Sequence, residues 1–519
     1  MATMAKENTV LDALRTALGD AGVRTSADAL DYFSNDVYRG GALPLAIVRP
    51  ATVEALQDAV RICSDAGIAM VPRGGGASYT DAYLTQQAGH VLFDTCALDT
   101  IEIDEFGAVV TCGAGVTWAA LKTALDAKGL RTPFWGPFSG IAATVGGSMS
   151  QNSVSHGGTA HGISAQSALS MDVVLASGEV LNTSSSRATR FYGPDLTGLF
   201  TGDCGIFGIK ARVRLPLLPI LPRFECVSFA FDSFADYHAA SRKAAMAKLE
   251  ESHFGLDLAL SQGQIGRQEG MGARLKIAAD VLRRAPNKLK GVAQLVQMAL
   301  AGESAMRAGA YMCHFIIEGF DQEEAAHKAR LLRRLLDGLG REIANSIPTF
   351  VQSMPFAPLY NVLGPGGERW VPIHGVFPHD QVVAFNTAFK ALVASRQAEM
   401  DKHGVWLGTM FSPVGSSGFL YEIAMYWPDA RTSYHVTTLG EDYLAGQPNF
   451  PANAESRAFV DSFKKEMIDL MQSHEAAHFQ LGRAYPYQPR LSDQQKALLG
   501  AIKTQLDPKG LMNPGALGF

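Results

Sequence analysis

A chain of 519 residues, 47% hydrophobic and 18% charged, is too long for one ordinary core and too apolar for disorder, so two domains or three layered subdomains are expected. A net charge of −5 leaves no electrostatic footprint for nucleic acid. Six cysteines without a CxxC pair read as reduced thiols and exclude a disulfide framework.

The opening "MATMAKENTVLDALRTALGD" lacks the apolar centre of a signal peptide and reads as a soluble helix. No apolar run reaches the ~18 residues of a membrane span, and a cytoplasmic protein is expected. From Leu45 short apolar strands alternate with helices. "LAIVRP" is a strand, and "ATVEALQDAVRICSDAG" is an amphipathic helix with Thr52 as N-cap and Gly67 as its stop. "AMVPRG" and "HVLFDT" are the next strands, giving a βαβ pattern over residues 45–95. Between them stands "RGGGASYT", Arg73 to Thr80. Three glycines remove every Cβ from one side of a turn, so that consecutive N–H groups can converge on an anion; a surface turn is the alternative. The chain's 52 glycines cluster between residues 70 and 210, as tight turns around a ligand would require.

A second unit follows, with "AVVTCGAG" as strand and "TWAALKTALDAKG" as helix. Residues 136–162 show little periodicity and are too many for a connector, which marks a functional loop. "ALSMDVVLASGEVL" is a hairpin turning at Ser177-Gly178, and "FGIKARVRLPLLP" is a strand that ends in prolines. From Phe224 strand and helix blocks suggest a second α+β domain, including "YMCHFIIEGF" before a helix capped by Asp321, "RWVPIHGVFPHDQ", "GVWLGTMFSPVG" and "GFLYEIAMYWPD". The basic stretch with Arg283, Arg284, Lys288 and Lys290 reads as a solvated helix face and not a membrane contact.

Five segments, "PRGGGASYTDA", "TVGGSMSQNSVSHGG", "MDVVLASGEVL", "FTGDCGIFGIKARVRL" and the terminal "DPKGLMNPG", occur in this order. Together they resemble the FAD-linked superfamily of vanillyl-alcohol oxidase and p-cresol methylhydroxylase, with an FAD domain most similar to the D-lactate and glycolate dehydrogenase branch. The resemblance implies an α+β fold: a two-subdomain FAD-binding domain of the vanillyl-alcohol oxidase type plus an α+β cap (substrate) domain. The FAD-binding domain would take residues 1–222 and the cap 223–480, with 481–519 returning to the FAD domain.

The resemblance also implies residues. FAD pyrophosphate would lie against Pro72, Arg73, Gly74, Gly75, Gly76, Ala77, Ser78 and Tyr79, where bare main chain can approach phosphate. Pro137, Thr144, Gly146, Gly147, Ser148 and Asn152 would wrap the flavin from the other side. Gly205, Ile206, Gly208 and Ile209 would contact the adenine or ring, and Asn513 would fold back onto the FAD domain. Relatives that attach FAD from the glycine loop have a histidine where this chain has Ala77-Ser78, so non-covalent FAD is expected, with cap residues His374, His379 and Tyr421 as alternative attachment points.

The implied enzyme is an FAD-linked oxidase or dehydrogenase that moves hydride from a CH–OH substrate, a hydroxy acid or alcohol, to flavin N5. An oxidase or hydroxylase of a phenolic alcohol and a non-catalytic FAD-binding subunit are the alternatives. A proton acceptor is needed, and His478 in "HEAAHFQLGRAY" is the candidate; Arg369 and Arg483 are candidate carboxylate clamps. His374, His379, Glu422 and His435 are placed on strands facing the flavin, Tyr421 with them. Trp370, Phe377, Phe411, Tyr421, Tyr426 and Trp427 are either an aromatic pocket or core. "HEAAH" places two histidines at i and i+4 of a helix, without a third ligand, so no metal is expected. The metal-dependent branch's Gly-Asp-Gly segment is missing, and the phenol-oxidising branch's Tyr-Arg pair reads "AHFQLG" here. The expected partners are a small-molecule substrate and an electron acceptor, either oxygen or a redox protein. Nucleic acid is excluded, a homo-oligomer stays open, and no peripheral membrane contact is expected.

Overall fold

Short apolar runs around residues 46 and 91 are buried on both faces, as parallel strands under helices must be. In the computed structural model, residues 2–263 and 308–519 are described, apart from 357, 362 and 365; the basic stretch from Arg283 to Lys290 lies outside them. The first sheet comprises β1 (Val23–Arg24), β2 (Ala46–Val48), β3 (Met70–Arg73) and β4 (Val91–Asp94) in the order β1-β2-β4-β3. Helix Val53–Asp65 covers it with Leu56, Ala59, Val60 and Cys63, a 3.6-residue period. Thr52 caps that helix as expected, its Oγ1 accepting from the Ala55 N–H at 3.1 Å, and Gly67 ends it at φ +62°.

The second sheet comprises β5 (Ile101–Asp104), β6 (Val109–Gly113), β8 (Ser170–Val174), β9 (Val180–Asn182) and β10 (Ile209–Pro216), all antiparallel, in the order β5-β6-β10-β8-β9. A ribbon of β7 (Leu130–Arg131) and β11 (Leu218–Pro219) lies beside it. The stretch 136–162 is more ordered than its lack of periodicity suggests. It contains helix Val145–Gln151, opened by Thr144, whose Oγ1 accepts from the Gly147 N–H at 3.2 Å. Two glycines and two serines in seven residues hide that helix from any hydrophobic pattern.

The third sheet has seven antiparallel strands: β12 (Arg223–Phe231), β13 (Ser252–Asp257), β14 (Tyr311–Gly319), β15 (Arg341–Ile343), β16 (Arg369–Pro378), β17 (Trp406–Val414) and β18 (Gly418–Trp427), ordered β15-β12-β14-β13-β17-β18-β16. Strand alternation gives this sheet two unlike faces. Phe419, Tyr421, Ile423, Met425 and Trp427 of β18 pack with helices Phe234–Ala247, Val382–His403 and Ala454–Ser473 in the largest core. Leu420, Glu422, Ala424 and Tyr426 point the other way, toward the first two sheets. The last residues return to the beginning: Asn513 N–H donates to the Met70 carbonyl and Met70 N–H to that of Leu511, both at 2.8 Å.

The "HEAAH" stretch is not helical. Helix Ala454–Ser473 stops before it, Glu475 takes φ +60°, and Ala477 pairs with Val376 of β16 in both directions at 2.8–2.9 Å. The i, i+4 spacing therefore places His474 and His478 on no common helix face.

Candidate cofactor and substrate site

The glycine loop follows β3 and forms one wall of a cavity of about 690 Å³. Each glycine answers a specific neighbour. A Cβ on Gly74 would stand 2.4 Å from Thr144 Oγ1, and one on Gly75 would stand 1.7 Å from the Ala142 carbonyl oxygen. Gly76 has φ +70° and lies over the Arg73 guanidinium. Arg73 is buried beneath the loop among Phe33, Tyr83 and Tyr32, with centroids 4.4, 5.2 and 5.3 Å from its Cζ. Its Nε and Nη2 have no hydrogen-bond partner. Nor do the backbone N–H groups of Gly74, Gly75, Gly76, Ala77 and Ser78 find an acceptor among the described residues. These five residues line the cavity wall, with Gly76 buried, and a row of consecutive N–H groups without acceptors suits an anion.

The loop is held from outside. Tyr83 donates its hydroxyl to the Gly76 carbonyl at 2.7 Å. The buried Asp36 carboxylate accepts from the N–H groups of Tyr38, Arg39 and Asp81 at 2.7, 2.7 and 3.0 Å. Asn513 is fully buried and donates to the carbonyls of Ala82 (2.8 Å) and Cys204 (2.6 Å), while its Oδ1 accepts from Arg483 Nη2 at 2.7 Å.

Of the residues expected around a cofactor, Pro72 through Tyr79, Pro137, Thr144, Gly146, Gly147, Ser148, Gly205, Gly208 and Ile209 line the cavity. Asn152, Ile206 and Asn513 do not. Asn152 is the left-handed C-cap of helix Val145–Gln151, Ile206 packs in the second sheet's core, and Asn513 is the tie just described.

The opposite wall is the face of the third sheet: Leu420, Glu422, Ala424 and Tyr426 of β18, Met410 of β17, Phe254 and Leu256 of β13, and Trp370 of β16. Phe350 and Val351, with Leu359 and Leu363, extend it as an apolar lobe, and Phe479 and Gln480 close one side. Glu422 is the one charged residue on this wall among the described residues. Its carboxyl has no hydrogen-bond or ion-pair partner among them, and burial pushes it up to about 7.

The other titratable candidates stay out of the cavity. His478 is buried, donates from Nδ1 to the His374 carbonyl at 2.8 Å and stacks on Tyr485; burial pushes it down to about 4. His374 sits directly across from Glu422 in the β16–β18 register, but Phe479 stacks over it at 3.9 Å and neither ring nitrogen has a partner. The expected clamps are committed elsewhere. Arg369 donates to the carbonyls of Ala430 (3.1 Å) and Tyr38 (2.5 Å), and Arg483 to those of Asp81 (2.5 Å) and Pro514 (2.7 Å). Tyr421 is on the helix side of β18, donating to Asn386 Oδ1 at 3.0 Å. His379 meets His238 at 3.0 Å, and His435 bonds Thr432 at 2.9 Å within its own helix turn. All six aromatics belong to the largest core, and of them Trp370 and Tyr426 also line the cavity. Phe479, Gln480 and Tyr83 are lining residues that the sequence reading did not single out. Among the described residues no three His, Cys, Asp or Glu side chains converge, and no helix is long and apolar enough to cross a membrane.

Comparison with known proteins agrees with this geometry. A family model described as FAD binding domain matches residues 44–184. The glycolate oxidase subunit GlcD of Bacillus subtilis is 29% identical over 42% of this chain and 47% of its own length. The D-lactate dehydrogenase of Archaeoglobus fulgidus is 27% identical over 37% of this chain and 42% of its length, and the xylooligosaccharide oxidase of Thermothelomyces thermophilus 30% over 33% of each. The sequence likeness thus spans less than half of these relatives. The fold likeness spans nearly everything: p-cresol methylhydroxylase superposes with a TM-score of 0.73 over 99% of this chain and 97% of its own, at 19% identity. The 4-ethylphenol oxidase of Gulosibacter chungangensis gives 0.70 over 99% and 97%, at 16% identity. Residues 44–184 are therefore an FAD binding domain, and the whole chain has the fold of p-cresol methylhydroxylase.

Proposed function

We propose that this chain is an FAD-dependent oxidoreductase that oxidises a neutral, largely apolar alcohol, aromatic or alkyl, with Glu422 as the proton acceptor. The observation that carries the reading is one cavity with two unlike walls: a row of partnerless N–H donors on the glycine loop, and an apolar sheet face bearing a single unpaired carboxyl. The residues fit FAD. Gly74 to Ser78 and Arg73 would hold its pyrophosphate, and Thr144, Gly146, Gly147 and Ser148 its other face, where a Cβ on Gly74 or Gly75 would close the loop's approach. Bound FAD supplies a two-electron hydride acceptor. The protein positions the substrate, excludes water and takes the hydroxyl proton on Glu422.

The substrate class follows from charge. Some relatives are named for glycolate and D-lactate, which are carboxylates, and two structural neighbours for phenols. A carboxylate on the cap side of this cavity would meet Glu422 and no cation among the described residues. Burying like charges without a counter-ion is strongly unfavourable, whereas Leu359, Leu363, Phe350 and Met410 suit a hydrophobic substituent. The same reading takes residues 1–222 with 481–519 as the cofactor-binding part and 223–480 as the cap. It also takes FAD as non-covalent, because none of His374, His379 and Tyr421 lines the cavity.

The test is anaerobic bleaching of the flavin absorbance by benzyl alcohol, 4-hydroxybenzyl alcohol and 1-octanol against D-lactate and glycolate, followed by air. Bleaching by a neutral alcohol is expected. Bleaching by the hydroxy acids alone would refute the charge argument, and the speed of recovery in air separates oxygen from another acceptor.

A further inference from the structure

Tyr79 ends the glycine loop, where the resemblance places cofactor contacts, yet its ring is turned to the cap. It packs edge-on against Trp370 and His374 of β16, with centroids 5.6 and 5.7 Å apart. Its side chain is more than nine-tenths buried and lines the same cavity as Glu422. No hydrogen bond joins the Tyr79 hydroxyl to Glu422 or to any other described residue; the two side chains line one cavity and are linked through His374, whose ring meets that of Tyr79 and whose backbone pairs with Glu422 across β16 and β18. The nearly buried phenol and the half-buried carboxyl thus line one cavity without bonding to each other, so that one small polar ligand can meet both. An unpaired phenol donor in an apolar wall is costly unless a ligand satisfies it.

We propose that Tyr79 is a substrate residue and not a cofactor contact: with Glu422 it forms a two-point clamp for the hydroxyl of the substrate alcohol. This rests on the function proposed above. In the clamp the Tyr79 O–H donates to the substrate oxygen while that oxygen donates its own proton to a Glu422 carboxylate oxygen. On oxidation the C–H bond breaks with its electron pair leaving as hydride to the bound cofactor. The O–H bond breaks with its proton going to Glu422, and the carbon–oxygen bond becomes a carbonyl that keeps the Tyr79 hydrogen bond. The clamp accounts for selection of a hydroxyl in a cavity that is otherwise apolar.

The experiment is calorimetric binding of benzyl alcohol and of ethylbenzene, its near-isostere without a hydroxyl, to the FAD-loaded protein reduced with dithionite so that no turnover occurs. Tyr79→Phe is expected to weaken benzyl alcohol roughly tenfold, the scale of one hydrogen bond, with ethylbenzene binding and flavin content unchanged. Glu422→Leu serves as the second variant and is expected to abolish the preference for the alcohol over ethylbenzene. Equal weakening of both ligands would make Tyr79 a packing residue, loss of flavin would make it a cofactor contact, and no change would remove the clamp; each overturns the proposal. A wild-type protein that takes up no FAD would instead overturn the function reading.

Discussion

Glu422 and His478 present the same question at the scale of one side chain: which can hold a proton near neutrality. Burial disfavours charge in both, but in opposite directions. It lowers His478 to about 4, and the imidazole's Nδ1 proton is committed to the His374 carbonyl. It raises Glu422 to about 7, where a carboxylate is basic enough to accept a proton and still ionised at the operating pH. Glu422→Gln is therefore expected to lower kcat by about 10²–10⁴-fold, while the wild-type rate with a neutral alcohol falls as pH drops below about 7. The folded state also binds the Glu422 proton more tightly than the unfolded chain, whose value is 4.5. Its contribution to stability is thus present below 4.5 and is lost as pH rises through about 7. Glu422→Gln should raise the melting temperature at pH 8 and leave it nearly unchanged at pH 4, a measurement independent of activity.

At the scale of elements, the glycine loop shows what a sequence can and cannot display. The need for Gly74, Gly75 and Gly76 is visible in the text, but not the neighbours that make it absolute. The Ala142 carbonyl, which fills the space where a Gly75 Cβ would go, lies in the aperiodic stretch. Helix Val145–Gln151 escaped notice there because small residues give no period. Glu422 was legible to a degree, being a lone acid in "GFLYEIAMYW", an otherwise apolar strand, although the sequence offers no way to say which face meets the cavity. The "HEAAH" spacing misled for the opposite reason: a local helical pattern yielded to the pairing of Ala477 with Val376, a tertiary contact. Two substitutions, one in this loop and one in helix Val145–Gln151 across the cavity, separate folding from cofactor binding. Gly75→Ala forces backbone apart at 1.7 Å and is expected to destabilise the fold by about 1–3 kcal/mol or more, read by urea denaturation. Gly147→Ala meets only Thr144 Oγ1, at 3.0 Å, and projects into the cavity. It should leave the denaturation midpoint close to wild type while FAD content falls.

Across the whole molecule, charged side chains that resemble ligand clamps act as ties between distant parts of the chain. Arg369 reaches the Tyr38 carbonyl and Arg483 those of Asp81 and Pro514; main-chain acceptors carry no residue signature, so these roles were closed to sequence reading. Arg131 makes a tie of another kind. From β7, beside the second sheet, it meets Glu251 just before β13 at 2.5 Å and Glu318 of β14 at 3.3 Å, all three largely buried. His161 approaches the other oxygen of Glu251 at 3.6 Å. Burial opposes ionisation of Glu251, yet His161 and Arg131 outweigh it and hold the carboxyl well below the usual carboxylate range. Replacing Arg131 by Met would leave that charge buried with its main partner gone, and a loss of about 3–5 kcal/mol is expected. The sign of the pH dependence follows from the depressed value: the pair's contribution is complete above the unfolded value of 4.5 and fades as pH falls further. Urea denaturation of wild type and Arg131→Met at pH 7 and pH 4 should therefore give a gap that narrows at the lower pH. A gap that stayed constant would mean that Arg131 joins the two parts of the molecule through packing of its stem and not through its charge.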